Sequence, residues 1–419
     1  MYIENQFFIT ATDDKQNPIL NKIGRAIVDR ILRADRERQK FKMIIVIPAI
    51  PAFAGDLKTE GSLGTRAIME FQYRSINNDR GYSIMEQIAK AGVDPKKYIR
   101  FYNLRNYDRI NAGSGVAPGG ATSSASYPAG VGAPGYGATH GAEYSGYASR
   151  SPVGQEWDSV SQCCMLGGGD IRSAPWDGDA QQELDAFVSE ELYVHTKLLI
   201  ADDRIVICGS ANLNDRSQLG DHDSEIAIVI QDPTPLPSLM DNRPYQASHF
   251  AATLRRQIFR KHLGLIPAAN LTTVDENMHP VPIPNIYDFD SQEDQIVTDP
   301  LSETFENFWN YTARTNTVAF EKVFHAVPTD KVANWKEYEE YWGKHFSVPP
   351  GENKQAKIKW GHIVRDEFSP DPRIAIGEVK AVLATVRGNL VEMPLGFLRE
   401  EDIAKEGLGC KFLLSLARN

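Results

Sequence analysis

Apolar runs of strand character alternate with helical patterns through the first quarter of the chain. Residues 2–10 (YIENQFFIT), 42–47 and 98–103 read as strands, bounded by prolines or polar turns. Between them, Ile23, Ile27, Ile31 and Leu32 recur at helical spacing, and residues 65–76 and 83–91 carry further helical patterns. Such alternation folds as an α/β unit whose sheet is largely parallel, because each helix carries the chain back to start the next strand in the same direction.

Composition narrows the partners. A formal net charge of -10 over 419 residues argues against a general nucleic-acid surface, so any phosphate site must be local. The 42% hydrophobic and 24% charged residues suit a globular domain with a sizeable core. Four cysteines show no metal-ligand spacing, which reads as a reduced, intracellular protein. The start MYIENQFFIT lacks a signal peptide, and the longest apolar run, from Met43, is broken by prolines. The expected location is therefore cytoplasmic, with any membrane contact peripheral.

The chain divides into four parts. Residues 1–111 hold the first strands and helices. Residues 112–183 turn to Gly, Ala, Ser, Pro and Tyr (AGSGVAPGGATSSASYPAGVGAPGYG), too poor in aliphatic residues to pack a core, and read as a disordered insertion. Regular structure resumes over residues 184–265, and residues 266–419 read as a Pro-rich connection followed by a helical C-terminal extension. The mixed charges of residues 25–42 read as a solvated helix face, and Trp309, Tyr311, Trp335, Tyr338, Tyr341 and Trp342 as packing residues.

One segment, YVHTKLLIADDRIVICGSAN, carries the chemistry. On a strand, residues two apart share a face, so His195 and Lys197 point one way and Thr196 and Leu198 the other. An ammonium beside an imidazole is a poor core pair, since burying an unpaired charge is costly. The pair suits a phosphate: Lys197 gives non-bridging oxygens a point charge, and His195 supplies a nitrogen that attacks phosphorus or carries a proton to the leaving oxygen. Asp202 follows at a turn, Ser210 and Asn212 offer donors to the same oxygens, and Glu225, at the start of the next strand, is placed to accept from the second ring nitrogen of His195. The joint pattern H-x-K-x4-D-x6-G-S-x-N specifies a phosphodiester site built without a metal.

This pattern resembles the HKD signature of the phospholipase D superfamily. The blocks YIENQFFITATDDKQNPILNKIGRAIVDRIL, GTRAIMEFQYRSI, YIRFYNLRNYDRIN and CGSANLNDRSQLGDHDSEIAIVI extend the resemblance to the second catalytic half of eukaryotic, notably fungal, phospholipase D. It implies an α-β-α sandwich with a mixed, largely parallel sheet. The implied reaction is hydrolysis or transphosphatidylation of phosphatidylcholine through a phosphohistidine, giving phosphatidic acid and choline. No cofactor is required for that chemistry, although phosphoinositides are implied as activators of the intact protein. The implied partners are a phospholipid surface and a missing first half, or a second copy; nucleic acid is not among them. Intact members carry two HKD motifs and this chain has one, so it reads as truncated and inactive alone. Two alternatives stay open: a non-catalytic fragment that binds lipid or a partner, and a homodimeric phosphodiesterase with one motif per copy.

Overall fold

A computed structural model describes residues 1–51, 55–77, 81–109, 176, 178–266, 291–347 and 358–404. The insertion expected at 112–183 lies almost wholly outside the described residues. Ten strands occur among them: β1 (Tyr2–Glu4), β2 (Met43–Val46), β3 (Ile99–Arg109), β4 (Phe187–Glu191), β5 (Leu198–Ala201), β6 (Ile205–Gly209), β7 (Ala227–Ile230), β8 (Pro235–Met240), β9 (Arg243–Ser248) and β10 (Leu390–Glu392).

The main sheet runs β10-β3-β2-β1-β5-β6-β7, with β4 pairing the far half of β3. The α/β class and mixed sheet stand, but "largely parallel" needs correction. Parallel pairing joins β1 to β2 and β2 to β3, whereas β1–β5, β5–β6, β6–β7, β3–β4 and β3–β10 are antiparallel. The reason is local. Helical crossovers separate the first three strands, while Asp202 and Asp203 take left-handed φ values of 52° and 50° and fold β5 straight back into β6.

Helices cover both faces. Ile23–Arg36, Leu63–Ile76 and Ile84–Lys90 pack on one side, around Ile27, Ile31, Ile45, Met69 and Ile88. On the other side, His249–His262 and Glu303–Phe324 enclose Tyr2, Leu198, Val206, Phe259 and Trp309. Phe259 stacks on Phe305 at 5.3 Å and meets Trp309 at 4.7 Å. Trp309 is 1% exposed, and truncating such a residue to alanine costs about 3–5 kcal/mol.

The C-terminal part is woven into this core. β10 lies on β3, Asn316 donates to the carbonyls of Arg387 and Leu390, and Phe320 and Phe324 pack with Val379 and Val391. The strand at 390–392 had no periodicity to betray it, because three residues are too few to show alternation. Regular structure also resumes earlier than position 184, at the helix Ala180–Ala186, where buried Glu183 bonds Arg109 at 2.5 Å and Lys380 at 2.6 Å.

Candidate active site

The site forms where β5 begins, β6 ends and β7 begins. β1 is expected to continue to Thr10 but stops at Glu4, because the Asn5 side chain takes over the hydrogen bonding. Its Oδ1 accepts from Phe7 N and Leu213 N, both at 3.1 Å, and its Nδ2 donates to the Ala211 carbonyl. The loop bearing Asn212 is thereby strapped to the end of β1.

His195 and Lys197 sit on the extended run just ahead of β5 rather than within the strand. The ladder survives one residue past Leu198, since Gly209 N donates to the Lys197 carbonyl at 3.1 Å. Beyond that, Ser210 turns to β7: its backbone N donates to Ile226 O, and Ile226 N donates to Ser210 Oγ. Gly209 is required here, because a Cβ on it would run into the Ile226 carbonyl and lie 2.9 Å from Ala227 Cα. Val194, Leu198 and Ile200 are buried while His195 is exposed and Lys197 half-buried, but Thr196 is exposed as well, so the expected alternation holds from Lys197 onward and not through Thr196.

Lys197 Nζ donates to the His195 carbonyl at 2.7 Å and to Gln6 Oε1 at 3.3 Å. Partial burial holds its pKa below the ordinary lysine value, and the charge of Glu225 opposes that shift. Ser210 Oγ donates to Glu225 Oε2. Hydrogen bonds from Ser210 and then Ser217 hold the Glu225 carboxyl below the usual range, keeping it ionised. Lys197, Ser210 and Glu225 are therefore electrostatically coupled, and Lys197 is tied to His195 through the His195 carbonyl.

Two expected contacts differ. No hydrogen bond joins Glu225 to His195 among the described residues; the carboxylate is engaged by Ser210 instead. Asp202 is not brought to the site. It occupies the β5–β6 turn, seven residues from His195 along extended chain, or roughly 20 Å at about 3.3 Å per residue. There its carbonyl accepts from Tyr245 Oη, while the neighbouring Asp203 forms a buried pair with Arg255 at 2.6 and 2.8 Å. Asn212 lies on the strapped loop with its buried Oδ1 unpartnered.

Sequence reading missed three residues. Gln6 Nε2 donates to Tyr193 Oη at 2.8 Å, and the Tyr193 ring lies 29° from the plane of the His195 imidazole, centroids 6.3 Å apart. Asp215 is buried and accepts from Leu20 N, Asn21 N and Asn21 Nδ2 at 2.6–2.9 Å, anchoring the loop after Asn212. The available signal for Gln6 was a polar Glu-Asn-Gln triplet interrupting an otherwise apolar run. Glu4, first of that triplet, faces inward, joined to Tyr2 Oη and His262 Nε2. Among the described residues no cluster of three or more His, Cys, Asp or Glu is arranged to hold a metal ion, and no described helix is long and apolar enough to cross a membrane.

Residues 177–279 match the family model described as Phospholipase D. Over 404 residues, 96% of this chain and 26% of the relative, the sequence is 33% identical to Phospholipase D1 of Homo sapiens. It is 28% identical over 415 residues to Phospholipase D zeta 1 of Arabidopsis thaliana, covering 96% of this chain and 28% of the relative. Phospholipase D1 of Schizosaccharomyces pombe is 36% identical over 267 residues, covering 63% of this chain and 14% of that protein. The chain thus spans about a quarter of the length of the human and plant relatives it matches.

Proposed function

We propose that this chain is a fungal-type phospholipase D catalytic half, contributing the second HKD motif of a two-part site that cleaves phosphatidylcholine at a membrane surface. The observation that carries the reading is the coupling of Ser210 and Glu225 to Lys197, which bonds the carbonyl of exposed His195, inside the region that matches the phospholipase D family.

The chemistry needs two steps. An imidazole nitrogen attacks phosphorus, the bond from phosphorus to the headgroup oxygen breaks, and a general acid gives that oxygen a proton as choline leaves. Water or a primary alcohol then attacks phosphorus, the P–N bond breaks, and the same acid–base group removes the attacker's proton. His195 fills one of these two roles. Lys197 and Asn212 bind the non-bridging oxygens, and Ser210 joins them when its single hydroxyl proton is released from Glu225, whose charge also keeps Lys197 protonated.

The second imidazole must come from elsewhere. On the site's flank, β7 is an edge strand among the described residues, with Ile228 and Val229 exposed by 62% and 61% and Ile226 just before it by 74%. An edge of this kind invites a partner. A complementary half docked there, or a second copy of the chain, would supply the missing group.

The test is transfer of the phosphatidyl group from phosphatidylcholine vesicles to a primary alcohol, comparing the chain with His195→Ala, each alone and with the half-domain that precedes the matched segment in a full-length relative. The proposal expects transfer only with a partner and only with His195 intact. Equal transfer by His195→Ala would overturn it.

A further inference from the structure

Gln6 and Tyr193 have no role in the chemistry described above, yet they make the most specific side-chain contacts around the motif. Gln6 reaches in from the chain just past β1, 191 positions from Lys197, and its carboxamide is used at both ends. Nε2 donates to Tyr193 Oη, which leaves Oε1 as the atom facing the ammonium. The reverse orientation would set an N–H donor against a cation, so the network itself assigns the amide. The Tyr193 ring in turn flanks the His195 imidazole.

We infer that Gln6 is a positioning residue: one neutral carboxamide holds Lys197 and, through Tyr193, the His195 ring in the arrangement that receives a phosphate group. This deepens the reading of the site as phosphate-binding and rests on it.

The residue type matters. Lys197 Nζ has three N–H donors, of which the His195 carbonyl and Gln6 Oε1 take two, leaving one for a phosphate oxygen. A carboxylate at position 6 would hold the ammonium just as firmly but would neutralise it and repel an incoming anion. A carboxamide orients the ammonium and leaves its charge unspent. An alanine would free a flexible four-carbon stem and release the tyrosine. Tyr193 is 42% exposed, and the Gln6 hydrogen bond ties its hydroxyl to the chain just past β1.

The test titrates inorganic phosphate into the full chain with isotopically labelled histidine, following the His195 ring signals, assigned by their loss in His195→Ala. Wild type, Gln6→Glu, Gln6→Ala and Tyr193→Phe are compared, with thermal melts as the control for folding. In Gln6→Glu the phosphate affinity falls about tenfold, the scale of one charge-assisted hydrogen bond. In Gln6→Ala and Tyr193→Phe the His195 ring signals shift before any phosphate is added, because the flanking aromatic ring is released. A purely structural role for Gln6 would alter the melts and leave those shifts untouched. Wild type responding to phosphate while Gln6→Glu binds equally well, with unmoved ring signals in Gln6→Ala, would overturn the inference alone. A wild-type chain whose His195 signals ignore millimolar phosphate would overturn the phosphate-site reading with it.

Discussion

Ser210 donates its hydroxyl proton to the Glu225 carboxylate across the start of the β6–β7 pair, and the charge of that carboxylate raises the affinity of Lys197 for its proton. Glu225→Gln therefore lowers the Lys197 pKa further below the ordinary lysine value, since burial then acts unopposed. Acylation of Lys197 at mildly alkaline pH, quantified by peptide mass spectrometry, becomes faster in the variant. Unchanged reactivity would separate the two residues electrostatically.

Adjacent aspartates at the β5–β6 turn separate in the same way. Asp203 is 2% exposed and paired with Arg255 through two hydrogen bonds, so Asp203→Asn leaves a buried guanidinium without its counter-charge and costs about 3–5 kcal/mol. Asp202 offers only its backbone carbonyl to Tyr245 and takes a left-handed φ that asparagine tolerates. Asp202→Asn stays within about 0.5 kcal/mol of the parent and leaves phosphate binding at His195 intact. Denaturant titration of both variants checks the contrast.

Glu191, four residues before His195, titrates in the neutral range. As a residue it is half-buried, but its carboxyl is enclosed against the backbone N–H groups of Ala49 and Ile50, and burial pushes its pKa up to about 7, offset in part by Arg105. The folded state then holds a proton that the unfolded chain, with a pKa near 4.5, has already released. Stability from this group is present below about pH 4.5 and is lost as pH rises toward 7, by at most about 3 kcal/mol. Glu191→Gln flattens that decline, because the amide oxygen still accepts from Ala49 and Ile50. Melting temperatures between pH 5 and pH 8 test it, and a parallel decline in the variant would assign the slope to other groups.

Much of this was legible before the fold was seen. An exposed His195 and a half-buried Lys197 between buried Val194 and Leu198 mark the site, because the run had to expose a cation that a core would reject, although Thr196 is exposed too and strict alternation fails there. Asp202 was placed wrongly because proximity along a motif says nothing about separation along an extended chain. Gln6, Tyr193 and Asp215 were hidden because their partners are nearly two hundred positions away, and a single sequence does not record such contacts. β10 escaped for a different reason: a three-residue strand shows no period and is defined only by β3 beside it.

Strand β7 supplies a separate prediction. Ile228→Asp changes a side chain that is 62% exposed, so the isolated chain keeps its stability within about 0.5 kcal/mol. The same charge placed in an interface must be desolvated, and partner-dependent transfer falls by at least tenfold, the effect of about 1.4 kcal/mol. Parallel thermal melts and transfer assays distinguish a docking surface from a merely exposed strand.

The central claim is that His195, Lys197, Ser210 and Glu225 form one half of a divided phosphodiester site. Specific transfer activity, measured on phosphatidylcholine vesicles with a primary alcohol over a thousandfold dilution of the purified chain, tests it most directly. The account predicts activity that is negligible at high dilution and rises with concentration only if two copies assemble. Robust transfer whose rate per molecule is independent of concentration would show that a single chain completes the site, and would contradict it.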